Sequence, residues 1–408
     1  MKTQAEAVTV APGQDLHIRH RPNATEKTAN TSPAEPGVTE AASWHIERRK
    51  KILKEFPEIA SLEKPYPITI LWCIVVVVTL WATTFLCGYI GKWEATAILA
   101  FLVGTPLDRA VFSLSHEVCH SLIHKSLNSK RAKRWCTRFI CSSPSARYFS
   151  YYTAGHLTHH SSLGGTTLEE SLAHVEADEP FDMDVRPQLV NMVIESRKKG
   201  NYLSPATGLS VQKTYAHLVV SKVLGMFAGE LVMKPLMIAR KLTGANILTP
   251  PDPFPKGAPK FLVDDIIQEA AGLLTLYVAC QLLSLSFLHG WLFCFLTKAY
   301  DELAVHPFAA YFLITHMSVF GEDSCQPTMS TYGSSLISAV YFNVNYHVEH
   351  HDFPRVPWVH LPKITAIADK WYSDLKSETF LSAYLRLLRP GSGDTWVYGC
   401  HAPEVRKA

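Results

Sequence analysis

The chain has 408 residues, of which 47% are hydrophobic and 18% charged, and its formal net charge is +3. Charged residues make up about a quarter of a typical soluble protein, so this composition favours a membrane protein. The small net charge gives no support for nucleic-acid binding. The nine cysteines are scattered, which excludes a zinc ribbon and gives no disulfide framework.

The N-terminal part predicts a disordered tail followed by a short helix. Residues 1–43 are polar, rich in Thr, Ala, Glu and Pro, and without apolar periodicity. They lack the hydrophobic region of a secretory signal. Residues 44–66 contain a basic amphipathic helix that ends near Pro57. Such a helix is compatible with binding to an anionic membrane surface and equally with an ordinary solvated helix.

Two apolar segments joined by a short turn predict a transmembrane hairpin. The stretch from Ile68 to Ile90 has no charged residue and is long enough to span a bilayer. A turn at residues 88–94 leads into a second apolar run, from Ala95 to about Leu114. Asp108 and Arg109 interrupt this run. They mark either the end of the hydrocarbon region or a face turned to the protein interior.

Basic residues flank this hairpin on both sides, from Arg48 to Lys51 and from Lys125 to Arg134. The positive-inside rule therefore places both flanks in the cytosol. The motif His116-Glu-Val-Cys-His120 follows the second span directly. It is expected at the cytosolic end of that span.

The middle of the chain is mixed in character. We expect an acidic surface loop at residues 163–184, amphipathic helices on the membrane surface within 208–242, and a proline-rich linker at 250–259. His174 lies in the acidic loop and is not assigned to a metal. A third span is predicted from Ile266 to Leu288.

A fourth span is predicted from Trp291 to Met317 and contains three charged residues, Lys298, Asp301 and Glu302. Their spacing allows pairing along one helix face. They are expected either at a water-accessible end or in the lining of a polar cavity. Four spans return the C-terminal part to the cytosol.

Eight histidines form three clusters at or beyond the predicted span ends: His116 and His120; His156, His159 and His160; and His347, His350 and His351. Positions i, i+3 and i+4 share a helix face, so each cluster can aim two or three imidazoles at one point. Imidazole binds iron, copper, nickel and zinc. Eight such ligands are too many for one ion and suit two. Nearby polar residues could orient the imidazoles through their second nitrogen: Glu117, Asn343, Glu349 and Asp352.

The position of these clusters indicates a substrate. A metal centre next to the cytosolic membrane face can reach a lipid chain that enters from the bilayer. Neutral histidine ligands leave the charge of iron uncompensated, and such a centre could activate O₂ and remove hydrogen from an unactivated C–H bond.

The HxxxH, HxxHH and HxxHH set resembles the membrane fatty-acid desaturase and hydroxylase superfamily. The segment Phe342 to Pro357, which contains Asn-Tyr-His-Val-Glu-His-His-Asp-Phe-Pro, is similar to the third motif of sphingolipid Δ4-desaturases. Leu361-Pro362 and the stretch Arg48 to Ile59 also fit that family. The resemblance covers residues 44–375.

This resemblance implies an all-α membrane protein with about four transmembrane helices in two hairpins and a cytosolic helical cap that holds a di-iron site. The implied division is a tail at 1–43, a family-specific N-terminal segment at 44–66, a desaturase domain at 67–375 and a cytosolic tail at 376–408. The implied location is the endoplasmic reticulum membrane, with both termini and the metal site in the cytosol.

The resemblance also implies an activity, the O₂-dependent introduction of a trans C4–C5 double bond into dihydroceramide. Two iron ions would serve as cofactors. Electrons would come from NADH through cytochrome b5 reductase and a separate cytochrome b5, because the chain has no His-Pro-Gly-Gly haem motif. The family pattern adds a ninth ligand, His316, whereas His306 is expected to be structural and His124 a neighbour on the helix face of the first cluster.

The chain departs from the family pattern around the expected substrate channel. Thr315 stands where a glutamate is expected and Tyr311 where a histidine is usual. The second cluster is followed by Ser161-Ser162 instead of Arg-Tyr. Small apolar residues are replaced by Lys298, Asp301 and Glu302. These departures bear on the substrate more than on the chemistry.

Three other interpretations stay open at this point. The same oxidant could hydroxylate C4 of the sphingolipid, alone or together with desaturation, or it could desaturate another acyl lipid. A metal-binding or metal-transporting membrane protein is an alternative without enzyme activity. A transporter should carry its histidines within the spans, near the bilayer midplane. The oligomeric state is left undetermined.

Overall fold

A computed structural model describes residues 40–146, 148–149, 151–161, 163, 236, 260–302, 306–309, 315, 326–377 and 379–382. The regular structure within these ranges is helical, without a β-strand. This confirms the all-α part of the predicted fold class. Apart from residues 163 and 236, the acidic loop with His174, the segment 208–242 and the linker 250–259 lie outside the described residues, as do nearly all of both tails.

The predicted hairpin is present in the first part of the structure. Helix α2 runs from Thr69–Ile90 and helix α3 from Trp93–Cys119, and both are long and apolar enough to cross a membrane. Gly91 joins them with a φ of 61°, a left-handed conformation that glycine adopts without the usual steric cost. Because α3 continues to Cys119, it carries the first histidine of its cluster on its last turn.

Helix α2 has two apolar faces, one packed against the protein and one exposed. Positions 73, 76, 77 and 80 are buried against the protein, whereas Leu71, Ile74, Val75 and Val78 are exposed. Both sets follow the spacing of a helix face. A soluble protein rarely leaves so large an apolar stripe in water, so the exposed face is one that lipid can cover.

The next helices in chain order are α4 (Lys130–Ile140), α5 (His156–Ser161), α6 (Lys260–Leu282) and α7 (Phe287–Glu302). Helix α7 packs on both α2 and α3, and α6 packs on α7. Helices α6 and α7 overlap the segments predicted as the third and fourth spans, but each begins several residues earlier than expected. Among the described residues, only α2 and α3 are long and apolar enough to cross a membrane.

One glycine brings α3 close to α7. Helix α3 contains a π-helical turn at Ala100–Gly104. A Cβ atom at Gly104 would collide with the side chain of Thr297 and come within 3.0 Å of the Phe293 ring, both on α7. The absence of a side chain at Gly104 therefore permits this helix contact.

The charged residues within these helices pair between helices. Arg109 of α3 forms a buried ion pair with Asp301 of α7, and the Tyr148 hydroxyl donates a hydrogen bond to Asp108 at 2.6 Å. Asp108 and Arg109 thus face the protein interior, one of the two placements expected from the sequence.

Lys298 forms an ion pair with Glu269 of α6, with the two charged atoms 2.7 Å apart. Lys298 thus has a partner on a neighbouring helix, which its spacing to Asp301 and Glu302 along one helix face did not predict. A charge in a low-dielectric environment needs a close opposite charge, and the neighbouring helices supply one for Lys298 and another for Asp301.

The C-terminal part forms a layer of short helices: α8 (Ser335–Val340), α9 (His347–Asp352), α10 (Leu361–Ile367) and α11 (Asp369–Tyr372). Helix α1, at Glu40–Glu55, packs on α9. The helix therefore begins four residues before position 44, and its last residue lies just before Pro57 as expected. Its apolar side is covered by protein, because Ile52 is fully buried in a cluster with residues of α9 and α10.

Candidate metal centre

All three histidine clusters lie at one end of the helices described above. His116 lies in the last turn of α3 and His120 follows directly after the helix. The second cluster lies on α5 and the third on α9. Because each cluster occupies one or two turns, its imidazoles share a direction, as the spacing predicts.

The structure brings five of these imidazoles together, those of His116, His120, His156, His160 and His350. One ligand nitrogen from each lies within 4.8 Å of every other. The Nε2 atoms are 2.8 Å apart between His116 and His350, and 2.9 Å apart between His120 and His156. All three predicted clusters therefore contribute to one site.

The remaining three histidines lie beside this group. The Nε2 atoms of His347 and His351 are 3.1 Å apart. The ring of His351 lies 4.3 Å from that of His160 and 5.4 Å from that of His159, measured between centroids. All eight predicted histidines are thus contiguous, with five nitrogens in one group and a second pair next to it.

The spacing of these nitrogens fits a transition-metal ion. Imidazole nitrogens bind such ions at ~2.1 Å, so two neighbouring ligands at a right angle are about 3.0 Å apart. Four neighbouring Nε2 pairs of the five-histidine group are 2.8 to 3.3 Å apart. Five nitrogens without a carboxylate suit iron, copper, nickel or zinc, in agreement with the chemistry inferred from the sequence.

The electrostatics also suit metal binding, since a ligating imidazole must be neutral. Burial, and then the proximity of Lys133, lowers the pKa of His120 to about 3. Burial and the neighbouring histidines hold the pKa values of His156, His160 and His350 well below the usual range. Because their pKa values are lowered, these four rings favour the neutral form at physiological pH, which is the form that binds a metal ion.

Tyr151 restrains one ligand ring, whereas Glu117 lies beside another ring at a distance too long for a hydrogen bond. The Tyr151 hydroxyl lies 3.1 Å from Nδ1 of His156, leaving Nε2 to face the group. Tyr151 was not expected from the sequence, although it lies one helical turn before His156. Glu117 accepts a hydrogen bond from the backbone N–H of Trp358 at 3.3 Å, and its other oxygen is 3.8 Å from Nδ1 of His116.

Two of the other expected orienting residues have different partners. The Glu349 carboxylate accepts hydrogen bonds from three hydroxyls, of Ser330 at 2.6 Å, Tyr332 at 2.5 Å and Thr365 at 2.6 Å. The Asn343 amide donates to the carbonyl of Trp358 at 3.1 Å. These partners of both residues are groups other than the histidine ligands, and the contacts hold α9 and the segment before it in place.

The fourth expected orienting residue, Asp352, contacts α1. Its Oδ1 lies 2.7 Å from Nδ1 of His45, and its Oδ2 accepts hydrogen bonds from Arg48 and Tyr372. His45 is buried, and burial lowers its pKa despite the adjacent carboxylate. Sequence reasoning missed His45, because a single histidine in a basic helix carries no cluster spacing.

Three further histidines were considered from the sequence. His316, the expected ninth ligand, lies outside the described residues. Nδ1 of His306 accepts a hydrogen bond from the backbone N–H of Phe308 at 3.1 Å, a contact that shapes the local turn. The His124 ring accepts one from the backbone of Ser126 and caps the short turn Lys125–Leu127, so it serves the loop after α3.

Comparison with known proteins places this geometry in a family. Residues 91–377 match the family model described as fatty acid desaturase. The chain belongs to the fatty acid desaturase family. The protein is therefore an oxidoreductase, and the relationship predicted from the histidine motifs is confirmed.

Its relatives include sphingolipid desaturases. The chain is 24% identical to sphingolipid delta(4)-desaturase DES1 of Mus musculus over 367 residues, which cover 86% of this chain and 93% of that protein. It is 27% identical to sphingolipid delta(4)-desaturase DES1-like of Oryza sativa subsp. japonica, with 82% of each chain covered. It is 25% identical to sphingolipid delta(4)-desaturase/C4-monooxygenase DES2 of Homo sapiens, over 81% of this chain and 83% of that protein.

Proposed function

We propose that this protein is a sphingolipid Δ4-desaturase that converts dihydroceramide to ceramide by forming the trans C4–C5 double bond. The observation that carries this proposal is similarity along more than four fifths of both chains to proteins named for that reaction. The match includes the three motifs that meet in the structure. It is therefore not confined to one shared segment.

The metal ligands of the proposed enzyme are the eight clustered histidines with His316 as the ninth, and they would hold two iron ions. The five-histidine group has the nitrogen spacing of one ion, and His347 and His351 supply the beginning of a second site next to it. When bound, the iron would supply the O₂-derived oxidant that removes hydrogen from an unactivated C–H bond.

The chain itself contributes position, exclusion of water and access for lipid. Six of the eight histidines are buried, and this burial would keep water from the reacting carbon atoms. Tyr151 orients His156. The apolar outer face of α2 allows a lipid chain to approach from the bilayer, next to the end of α3 where the histidines lie.

The membrane placement and the electron supply also belong to this proposal. Helices α6 and α7 would form the second transmembrane hairpin, with the metal centre and both termini in the cytosol of the endoplasmic reticulum. The basic residues at both ends of the first hairpin support this orientation. Two electrons would come from NADH through cytochrome b5, and with two protons and the two substrate hydrogens they would reduce O₂ to two molecules of water.

Hydroxylation at C4 is the second candidate function. It is supported by the similarity to the human protein named as a desaturase and C4-monooxygenase. Both outcomes begin with removal of a hydrogen near C4, and the geometry of the bound lipid then decides between them.

Expression in a host that lacks Δ4-unsaturated sphingoid bases tests the proposal. We expect mass spectrometry of the lipids to show Δ4-unsaturated bases with the wild-type protein and none with His350→Ala. A 4-hydroxylated base would instead establish the second candidate. Saturated sphingoid bases together with altered acyl-chain unsaturation would overturn the sphingolipid assignment.

A further inference from the structure

Helix α1 lies outside the segment matched by the desaturase family model, yet it contacts the metal centre. The matched segment begins at residue 91, and α1 ends at Glu55. The helix nevertheless packs on α9, which carries the third histidine cluster. The contact is made by polar as well as apolar residues, and the polar ones converge on a single carboxylate.

That carboxylate belongs to Asp352, the last residue of α9 and the neighbour of His351. Asp352 is 1% exposed. Its Oδ1 faces Nδ1 of His45 at 2.7 Å, and its Oδ2 accepts hydrogen bonds at 3.1 Å from Nε of Arg48 and at 3.1 Å from the Tyr372 hydroxyl. A buried carboxylate with such partners holds one fixed orientation.

His45 is itself fixed on both ring nitrogens. Its Nε2 lies 3.1 Å from the Thr328 hydroxyl while its Nδ1 faces Asp352. A neutral imidazole has one donor and one acceptor, which suits a carboxylate at Nδ1 and a hydroxyl donor at Nε2. The His45 ring also lies against the His351 ring, with centroids 5.0 Å apart and planes tilted by 33°.

Arg48 lies one turn after His45 and ties the same carboxylate to the C-terminal layer. Its Nη2 donates to the carbonyl of Trp371 at 3.0 Å. Its guanidinium lies 4.6 Å from the Trp44 ring and 5.3 Å from the Tyr372 ring. The guanidinium group of Arg48 therefore connects α1 with the end of α9 and with α11.

We propose that His45 and Asp352 are positioning residues for the half of the metal centre formed by His347 and His351, and that α1 is a working part of that centre. The contacts fix the end of α9 and one face of the His351 ring. They reach the five-histidine group only indirectly, through His350 in the middle of α9 and through the His351 ring, which lies 4.3 Å from that of His160. This inference rests on the proposed function only for the presence of a second metal ion.

The metal affinity of the pair His347 and His351 should therefore depend on α1 more than that of the five-histidine group. Residues that support the imidazoles of a metal centre change metal affinity or activity about 10- to 100-fold when they are mutated. Loss of the His45–Asp352 contact should lower the affinity of the ion held by His347 and His351. The ion held by the five-histidine group should keep its affinity.

Iron titration of the purified full-length protein tests this, with bound iron measured by mass spectrometry and normalised to folded protein. His45→Phe keeps the ring packed against His351 but removes the contact with Asp352. We expect iron per folded protein to fall from two towards one when iron is limiting, with the weaker site losing about 10- to 100-fold in affinity. Lys50→Gln, which changes an exposed residue of the same helix, should keep wild-type iron binding.

Thr328→Val is a milder second variant, because valine has nearly the volume of threonine and removes only the hydroxyl that faces His45. It should shift the weaker iron site in the same direction by a smaller factor. A lower melting temperature with unchanged iron content and affinity in both variants would show that α1 is only structural, and would overturn the proposal. A wild-type protein that binds no iron would instead overturn the metal centre itself.

Discussion

The buried ion pair between Arg109 and Asp301 offers the sharpest test of how the helices are held together. The Arg109 side chain is 2% exposed and that of Asp301 is 12% exposed. Asp301→Asn removes the negative charge with almost no change in shape. Breaking a buried pair by removing one partner costs about 3–5 kcal/mol, because the other charge stays buried.

The structure places the expected loss towards the lower end of that range. Asp108 lies 3.8 Å from Arg109, so part of the compensating charge remains after the substitution. We therefore expect Asp301→Asn to lower the free energy of unfolding by about 3 kcal/mol. Arg109→Gln should cost at least as much, because it leaves two carboxylates without their cation.

The assay is unfolding in mixed micelles, followed by circular dichroism while denaturing detergent is added. The double variant Arg109→Gln with Asp301→Asn should lose clearly less than the sum of the two single variants, because the interaction is lost only once. The exposed pair Glu47 and Lys50 is the control, and its removal should change nothing measurable. Additive losses for Arg109 and Asp301 would refute the interhelical pairing.

Three further outcomes are expected. Gly104→Ala should lower the free energy of unfolding by about 1–3 kcal/mol through overpacking, and adding Thr297→Ala should restore part of that loss. Thermal unfolding in detergent measures both effects. Full stability of the single variant would contradict the close approach of α3 and α7. Tyr151→Phe should weaken iron binding or activity about 10- to 100-fold, because Nδ1 of His156 loses its hydroxyl partner. Iron titration and the lipid assay measure the two effects, and wild-type values in both would disprove the orienting role. His350→Ala should abolish activity and reduce bound iron, since its Nε2 lies among the five converging nitrogens, and undiminished iron content would remove it from the ligand set.

Local features of the sequence were enough to predict the histidine groups. The intervals within HxxxH and HxxHH correspond to one helical turn, so spacing alone shows that each cluster shares a face. The first hairpin is equally local, because an apolar run of about 20 residues and the glycine that ends it are contiguous in the chain. These predictions needed no knowledge of which helices are neighbours.

The partners of the isolated charges could not be predicted in this way. Lys298 has Asp301 and Glu302 within one turn, and nothing in that spacing indicates its ion pair with Glu269, 29 residues earlier. Asp301 pairs with Arg109 across 192 positions. Spacing along one helix leaves several partners possible for each charge, and only the packing of α3, α6 and α7 decides which carboxylate reaches which cation.

By itself the sequence determined which residues could bind metal and which segment could cross the membrane, because helical spacing and the length of an apolar run are both read within one segment of the chain. Only the tertiary structure decided that five imidazoles from three distant clusters converge on one point, and that Asp352 is held by His45, 307 residues away. The physical reason is that a ligand group and a buried carboxylate need several partners at hydrogen-bond distance, and a single short segment cannot supply them.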